Sequence, residues 1–345
     1  MDDVFSNEFI LFDRLEKIKS TINQYGEDQF YVSFSGGKDS TVLHHLIDEA
    51  LPGNKIPRVY INTGIEYVEM VKFVRKLAKD DSRFEIISPQ VSTKKVVEEY
   101  GYPFKSKEHA NYCFRYRRGV ERGDSLDDMK SIKFYINEKK YNGLPKKLKY
   151  QFTPEFALNG PFRISDKCCL KMKEEPLDKY GKEHKKAWTI VGLMREEGGR
   201  RQRALCLSFR GNRPNAFQPL VPVSTAWENW YIKEREIELC PLYYPPYNLE
   251  RTGCKCCPFG LGLQEELNVL SKHFPEERNQ AEWLWQPVYE EYRKLDYRLS
   301  RKQATYDKLI CLKCLKRKYY DGVLGVTCSK GHYPADGKCQ WYQEG

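Results

Sequence analysis

Two groups of residues in this sequence have the types and spacing to do chemistry. The first is Ser35-Gly36-Gly37-Lys38-Asp39-Ser40. Adjacent glycines let a backbone turn sharply and approach an anion with no Cβ in the way. Where such a turn opens a helix, the unpaired N–H groups of the first turn point at that anion. Lys38 adds a positive charge, Ser35 and Ser40 add hydroxyl donors, and Asp39 can orient the lysine or hold a magnesium ion. The spacing is too short for the G-x-x-x-x-G-K-[ST] loop of P-loop NTPases. The second group is sulfur: Cys168-Cys169, then Cys254 and Cys257 in Thr252-Gly253-Cys254-Lys255-Cys256-Cys257-Pro258. Cys-x-x-Cys is a pincer for a thiophilic metal, and four thiolates close either a zinc site or a 4Fe–4S cluster. Adjacent cysteines are unusual in a structural zinc pincer, where about two to four residues separate the ligands. Burial without reaction explains one cysteine well, and five in two tight groups poorly. A third set, Cys311-x-x-Cys314 with Cys328, His332 and Cys339, has the pattern of a small zinc-ribbon knuckle. Its ligands would be Cys311, Cys314, Cys328 and either Cys339 or His332.

The elements that must position these residues alternate. Residues 8–24 have helical spacing. Phe30 to Phe34 is a short β-prone run that leads straight into the glycine turn, and Thr41 to Leu51 continues as a helix. Pro57 to Asn62 reads as a second strand, Tyr67 to Lys79 as a helix, Phe84 to Ile87 as a third strand and Ser92 to Tyr100 as a helix. Trp188 to Leu193 resumes the strand pattern. Strands alternating with helices predict a parallel sheet with crossover helices. The expected fold class is α/β: a parallel sheet with flanking helices, a helical insertion and a small Cys-rich C-terminal knuckle. The expected domains are 1–104 with 161–262 for the glycine turn and the paired cysteines, a basic insertion at 105–160, a helical segment at 263–310 and the knuckle at 311–345.

Composition sets the outer bounds. The chain has 345 residues, 58 Lys and Arg against 48 Asp and Glu, and 12 Cys. At 40% hydrophobic residues it can build a core, and its length suits about two domains. No stretch approaches the roughly 18 apolar residues of a membrane span. The N-terminal residues are acidic and then amphipathic, unlike a signal peptide, so a cytoplasmic location with reduced thiols is expected. From Arg115 to Lys149 eleven Lys and Arg stand against five acids, with Tyr112, Phe114, Tyr116, Phe134 and Tyr135 interleaved. That pattern suits phosphate contact and base stacking by a nucleic acid. A solvated pair of basic helices produces it equally well.

The glycine turn resembles the PP-loop of the adenine-nucleotide alpha-hydrolase superfamily. The resemblance implies a Rossmann-like sheet that binds ATP or an adenylyl sulfate at the strand carboxyl ends, with Ser33 and Phe34 beside the adenosine. Asn62-Thr63-Gly64-Ile65-Glu66-Tyr67 is similar to the D-T-G-x-x-F segment of sulfonucleotide reductases, which makes Thr63 and Gly64 candidate nucleotide contacts. Cys168-Cys169-Leu170-Lys171-Met172-Lys173-Glu174-Glu175-Pro176-Leu177 resembles the C-C-x-x-R-K-x-x-P-L motif of assimilatory adenylyl-sulfate reductases. Pro241-Leu242-Tyr243 and Thr252 to Cys257 resemble their P-L-Y and G-C-x-x-C segments. By position the resemblance implies a 4Fe–4S cluster on Cys168, Cys169, Cys254 and Cys257 beside the nucleotide, with Lys173 near both. The stretch from Gly192 to Arg201 resembles G-L-R-R-x-Q-S-x-x-R. Arg195 and Arg201 match it, and both suit oxyanions through the planar guanidinium fork.

The resemblance implies catalytic work for Lys38, Asp39, Lys173 and Arg195. The family nucleophile is a Cys near the C-terminus in an E-C-G-[IL]-H context. Cys339 is the candidate by position, yet it lies in Lys338-Cys339-Gln340 and is also a candidate zinc ligand. Three activities follow as expectations. One is reduction of adenylyl sulfate or its 3′-phosphate form, PAPS, with a thioredoxin-like electron donor. The second is an ATP-splitting sulfurtransferase akin to the DNA phosphorothioation enzyme, fed by a cysteine desulfurase. The third is a nucleic-acid-binding relative without turnover. Pyrophosphate release from ATP separates the second from the first, and nucleic-acid binding without turnover marks the third.

Overall fold

The computed structural model describes residues 2–125, 128–129, 146–300, 317–320 and 323–328. The chain divides into two compact units, Met1–Gln90 with Lys173–Gly253, and Val91–Met172 with Cys254–Gly345.

The first unit is built on a six-stranded sheet. Its strands are β1 (Phe30–Phe34), β2 (Arg58–Ile61), β3 (Phe84–Ile87), β4 (Trp188–Ile190), β5 (Leu207–Arg210) and β6 (Arg213–Phe217), ordered β3-β2-β1-β4-β6-β5. The first four and β6 run parallel, as alternation predicts, while β5 returns antiparallel to β6 as an edge hairpin. The parallel strands β1 and β2 are covered on both faces, so they read as apolar runs rather than alternating ones. Three helices follow the pattern as expected: α1 (Asp2–Tyr25), α2 (Lys38–Ala50) and α3 (Val68–Asp80). Ile18 and Ile22 of α1 and Val42, Leu43, Leu46 and Ile47 of α2 fall at helical spacing and join Phe30, Val32, Trp188 and Ile190 in one core. Full burial of each such side chain stabilises by roughly 1.5–3 kcal/mol. β1 is central: it pairs with β2 and, in register Phe30↔Trp188, with β4. Arg58 on β2 is fully buried, and Asp48, Asn54 and His44 satisfy its guanidinium.

The second unit is mainly helical. Helices Thr93–Tyr100, Lys107–Arg122, Lys146–Tyr150, Pro154–Asn159, Leu263–His273 and Pro275–Lys294 accompany a two-stranded hairpin of β7 (Arg317–Tyr320) and β8 (Val323–Cys328). Its core is aromatic: Phe104 stacks on Phe156 and on Tyr292, with ring centroids 5.6 and 5.3 Å apart. The unit boundaries differ from the domains expected from sequence. The cysteine segments belong with the stretches 105–160 and 263–300 rather than with the sheet, because residues 254–258 are tied to helix Pro275–Lys294. Among the described residues, no helix is long and apolar enough to cross a membrane.

Candidate active site

A cavity of about 810 Å³ opens in the first unit at the carboxyl ends of β1 and β2. That is the expected place for a ligand of an open α/β sheet. Ser33 and Phe34 of β1 and Val59, Tyr60 and Ile61 of β2 line one part of it. Ser35, Gly37, Lys38, Asp39 and Ser40 supply the loop.

The loop is held by its own hydroxyls. The Ser35 amide donates to Ser40 Oγ at 3.2 Å, the Gly37 amide to Ser35 Oγ at 3.3 Å, and Ser40 Oγ to the Gly37 carbonyl at 2.9 Å. Gly36 sits at φ +75°, where a side chain is strained, and a Cβ there would run into Met70 Sδ. Gly192, just past β4, is required for a different reason: a Cβ would stand 2.8 Å from the Asp39 carbonyl oxygen. Strand and loop therefore meet backbone to backbone.

Lys38 opens α2, and its amide donates to the Tyr243 hydroxyl at 2.9 Å. Tyr243 OH also exchanges a hydrogen bond with Thr252 Oγ1 at 2.7 Å. Burial pushes the Tyr243 phenol up to about 12, so it stays protonated. The Lys38 ammonium pairs with Glu228 Oε2 at 2.5 Å. Glu228 lies in the first turn of helix Thr225–Glu234, whose N-terminal Ser224 caps the Trp227 amide. Trp227, Glu228 and Tyr231 form its buried face. Burial first, and then the neighbouring Asp39 carboxylate, push the Glu228 carboxyl up to about 7, while Lys38 pulls it down.

The other cations of the cavity also carry carboxylates. Lys173 Nζ lies 3.8 Å from Glu66, which accepts from the amide and hydroxyl of Thr63 at 2.8 and 2.7 Å. Arg201 pairs with Glu197, and Arg251 NH2 reaches the same carboxylate at 3.6 Å.

The residues expected from sequence are thus placed unevenly. Ser33, Phe34, Ser35, Gly37, Lys38, Asp39, Ser40, Lys173 and Arg201 line the cavity. Gly36 sits behind the loop against Met70. Thr63 and Gly64 are set back from it, Thr63 holding Glu66 and the Gly64 amide donating to Asn62 Oδ1. Arg195 is exposed and turned away, its Nε donating to the Ala204 carbonyl at 3.0 Å. Sequence reasoning missed Glu228, Glu66 and Arg251. Arg251 stands next to the quoted Thr252-Gly253-Cys254 segment, which was a usable signal. Glu228 sits among Trp, Asn and Lys on an ordinary helix, and nothing in its spacing marks it as buried.

The cysteines of the second unit have their own scaffold. Trp285, Tyr289 and Tyr292 recur at i, i+4 and i+7 on helix Pro275–Lys294, so they form one stripe. Their polar tips donate to three successive stations on the cysteine loop: the carbonyls of Lys255 at 3.4 Å, Cys256 at 2.5 Å and Pro258 at 3.0 Å. The Cys256 amide donates to Glu266, and Cys256 adopts the left-handed φ of +46°. Lys255 is buried and paired with Glu277 at 2.9 Å. Cys168 is buried, and Cys169, Cys254 and Cys257 are partly buried. Burial pushes the Cys257 thiol far up, and the neighbouring sulfurs of Cys254 and Cys169 push it further. Thiols that repel each other's charge in a dry place are what a cationic iron–sulfur core would relieve. Among the described residues no three Cys, His, Asp or Glu side chains converge as around a single ion. The four cysteines make an all-sulfur donor set, which is the ligand chemistry a 4Fe–4S cluster takes. Of the C-terminal knuckle, Cys328 closes β8, while Cys311, Cys314, His332 and Cys339 lie outside the described residues.

Comparison with known proteins adds the following. A family model described as the phosphoadenosine phosphosulfate reductase domain matches residues 29–134 and 130–259. An uncharacterized protein of Methanocaldococcus jannaschii is 24% identical over 277 residues, which is 76% of this chain and 52% of that protein. The chain thus spans about half the length of the curated relative it matches. The phosphoadenylyl-sulfate reductase of Candida auris, solved as a phosphate complex, is similar at TM-score 0.37 and 14% identity, over 70% of this chain and 93% of that one. The U34-tRNA thiolase of Methanococcus maripaludis, solved with its 4Fe–4S cluster, gives TM-score 0.35 and 14% identity, over 84% and 81%. The FMN adenylyltransferase of Candida glabrata gives TM-score 0.42 and 11% identity, over 73% and 62%.

Proposed function

The chain belongs to the phosphoadenosine phosphosulfate reductase domain family, and from that premise we propose that it is a PP-loop enzyme of sulfur metabolism. It binds an adenine nucleotide, ATP or an adenylyl sulfate, in the cavity of the first unit and directs chemistry to the alpha phosphate or the sulfate attached to it. The observation that carries this reading is the loop Ser35–Ser40 lining a cavity whose strand side is Ser33, Phe34 and Val59 to Ile61.

In this reading Ser35 and Ser40 set the loop, and Lys38 and Arg201 hold oxyanions of the ligand. Arg251 stands with Arg201, so one guanidinium can grip an oxyanion while the other keeps Glu197 neutralised. Lys173 and Glu66 face the ligand from the β2 side. Tyr243 fixes the first amide of α2. Cys168, Cys169, Cys254 and Cys257 would hold a 4Fe–4S cluster. When bound, such a cluster supplies one-electron redox chemistry and a charge tuned by its surroundings.

A second reading is favoured by Asp39. A loop carboxylate at the phosphate end suits a magnesium ion shared with a triphosphate. ATP would then be split to AMP and pyrophosphate ahead of sulfur transfer, with a cysteine desulfurase as sulfur source and a nucleic acid among the acceptors to try. In the first reading adenylyl sulfate takes up two electrons and leaves as AMP and sulfite, with a thioredoxin-like donor.

The test is an assay of anaerobically purified protein with adenylyl sulfate, PAPS and ATP, beside iron and zinc analysis. Sulfite from a sulfonucleotide supports reduction, and pyrophosphate from ATP supports sulfur transfer. Zinc in place of iron would overturn the cluster, and no turnover with retained nucleic-acid binding would overturn both enzymes.

A further inference from the structure

We propose that Thr252 is a ligand-binding residue of the nucleotide site: it is the last donor of a hydrogen-bond relay, Lys38 amide to Tyr243 to Thr252, that ends on an oxyanion of the nucleotide. The proposal rests on the nucleotide reading above and adds a neutral contact to the cations of that site.

One hydroxyl proton at this end of the cavity is unused. The Lys38 amide donates to the Tyr243 hydroxyl at 2.9 Å, and Tyr243 and Thr252 share one hydrogen bond at 2.7 Å. Three donors, an amide and two hydroxyls, thus make two bonds, and one hydroxyl proton is left over. A phenol is the stronger acid of the two hydroxyls and so the better donor, while the aliphatic oxygen is the better acceptor. The proton that Tyr243 accepts from the Lys38 amide strengthens the phenol as a donor in turn. Tyr243 therefore donates to Thr252, and the spare proton is that of Thr252.

The cavity sets where that proton can go. Thr252 is 7% exposed, yet it lines the cavity, as Tyr243 does. Among the described residues its side chain bonds Tyr243 and no other. A buried hydroxyl proton without an acceptor costs free energy, and a ligand oxygen in the cavity removes that cost. Gly37 keeps the approach open. A Cβ there would stand 3.2 Å from Ser35 Oγ, 3.3 Å from Tyr243 OH and 3.5 Å from Thr252 Oγ1, so three hydroxyl oxygens converge over its bare Cα.

The cations of the cavity work under a different constraint. Lys38 is paired with Glu228, Lys173 with Glu66, and Arg201 and Arg251 with Glu197. Each must share or leave a carboxylate to hold an oxyanion. Thr252 leaves nothing behind. It selects by the position of an oxygen rather than by charge, and it serves phosphate and sulfate oxygens alike.

The experiment is titration calorimetry of the anaerobically purified whole chain with ATP and with adenylyl sulfate. Wild type is run beside Thr252→Val, Thr252→Ser and Tyr243→Phe at matched iron content, and the Tm of each is read without nucleotide. Thr252→Val keeps the shape and removes the donor. It should weaken nucleotide binding about tenfold, the order of one hydrogen bond to a charged group. Thr252→Ser keeps the donor and should bind within about twofold of wild type. Tyr243→Phe takes the acceptor from the Lys38 amide but leaves Thr252 its proton, so it should lower Tm more than Thr252→Val does and affinity less. A loss confined to one nucleotide supports the donor and assigns it to the oxyanion which that nucleotide alone carries. A bond that merely pins two segments together would make Tm and affinity fall most in the same variant, and that result overturns the relay. Unchanged binding of both nucleotides by Thr252→Val overturns it too, and leaves the nucleotide site standing. No binding of either nucleotide by the wild type removes the site and the relay together. If Thr252→Val does not fold, Thr252→Ala is read in its place.

Discussion

Lys38 of the first unit and Lys105 of the second are withdrawn from water in opposite ways. In the first, Lys38 is given a carboxylate at 2.5 Å and one open side. In the second, Lys105 is 2% exposed and is given rings. Its Nζ lies 3.4 Å from the centroid of Tyr297 and 5.1, 5.3 and 5.6 Å from those of Phe104, Phe152 and Tyr292, with no hydrogen-bond partner among the described residues. Burial, helped by Arg298 and opposed by Glu291, lowers its pKa to about 7. One unit keeps a positive charge poised for an anion. Lys105 instead has its charge disfavoured by burial, and its amide donates to the Tyr292 hydroxyl that grips Pro258 of the cysteine loop. A cation with a carboxylate on one side and open space on the other stays charged for an anion, and one in an aromatic box is disfavoured as a charge.

The widest test of that division is a pair of variants expected to fail in opposite ways. Cys257→Ser should lose essentially all iron from anaerobically purified protein while ATP affinity stays within about threefold, because every residue lining the cavity belongs to the first unit. Lys38→Ala should keep its iron and lose roughly a hundredfold in nucleotide affinity, the order of one charge-assisted contact with its neighbours. Iron loss in Lys38→Ala, or lost ATP binding in Cys257→Ser, would break the division.

A smaller effect separates the two lysines by pH. A lysine ordinarily titrates at 10.5, and Lys105 does so at about 7 in the folded chain. Across that interval the unfolded chain binds a proton the folded chain lacks, so Lys105 makes stability rise with pH and withdraws that gain as pH falls to neutrality. Lys105→Met should flatten this slope and add on the order of 4 kcal/mol at pH 7, read as a higher Tm. An unchanged slope would mean that the ammonium stays charged in its box. The smallest expected effect is in the first unit. Gly192→Ala should cost about 1–3 kcal/mol by crowding the Asp39 carbonyl, and should weaken ATP binding with it. Lost stability without lost affinity would show that the loop tolerates displacement.

Much of the first unit was legible. The run from Phe30 to Phe34, the glycine turn, Phe84 to Ile87 and the helices around them appear where strand and helix periods put them. Those elements are local, and each is set by residues a few positions apart. The edge hairpin β5–β6 was not read, because Arg213 and Pro214 break the apolar alternation that marks a strand. The cysteine positions were plain, but their scaffold was not. Trp285, Tyr289 and Tyr292 have the spacing of any core-facing stripe, and only the fold reveals that their polar tips serve carbonyls. Glu228 is the clearest limit, since its importance comes from burial, which spacing does not encode for a lone acid. Arg195 shows the converse: a matching motif position whose side chain turns to its own loop.

The pairing of β1 with β4 carries a consequence for synthesis. The Thr189 hydroxyl that donates to Tyr31 lies 158 positions further along the chain. At ribosomal rates of about 5–20 residues per second, β1 emerges roughly 8–30 s before the strand that covers its second edge. Through that interval an apolar strand with an open row of amides and carbonyls is exposed on the nascent chain. Long-range parallel pairing of this kind forms slowly. Yield in a cell-free system should therefore respond to added chaperone more strongly for the full chain than the size of its sheet alone suggests.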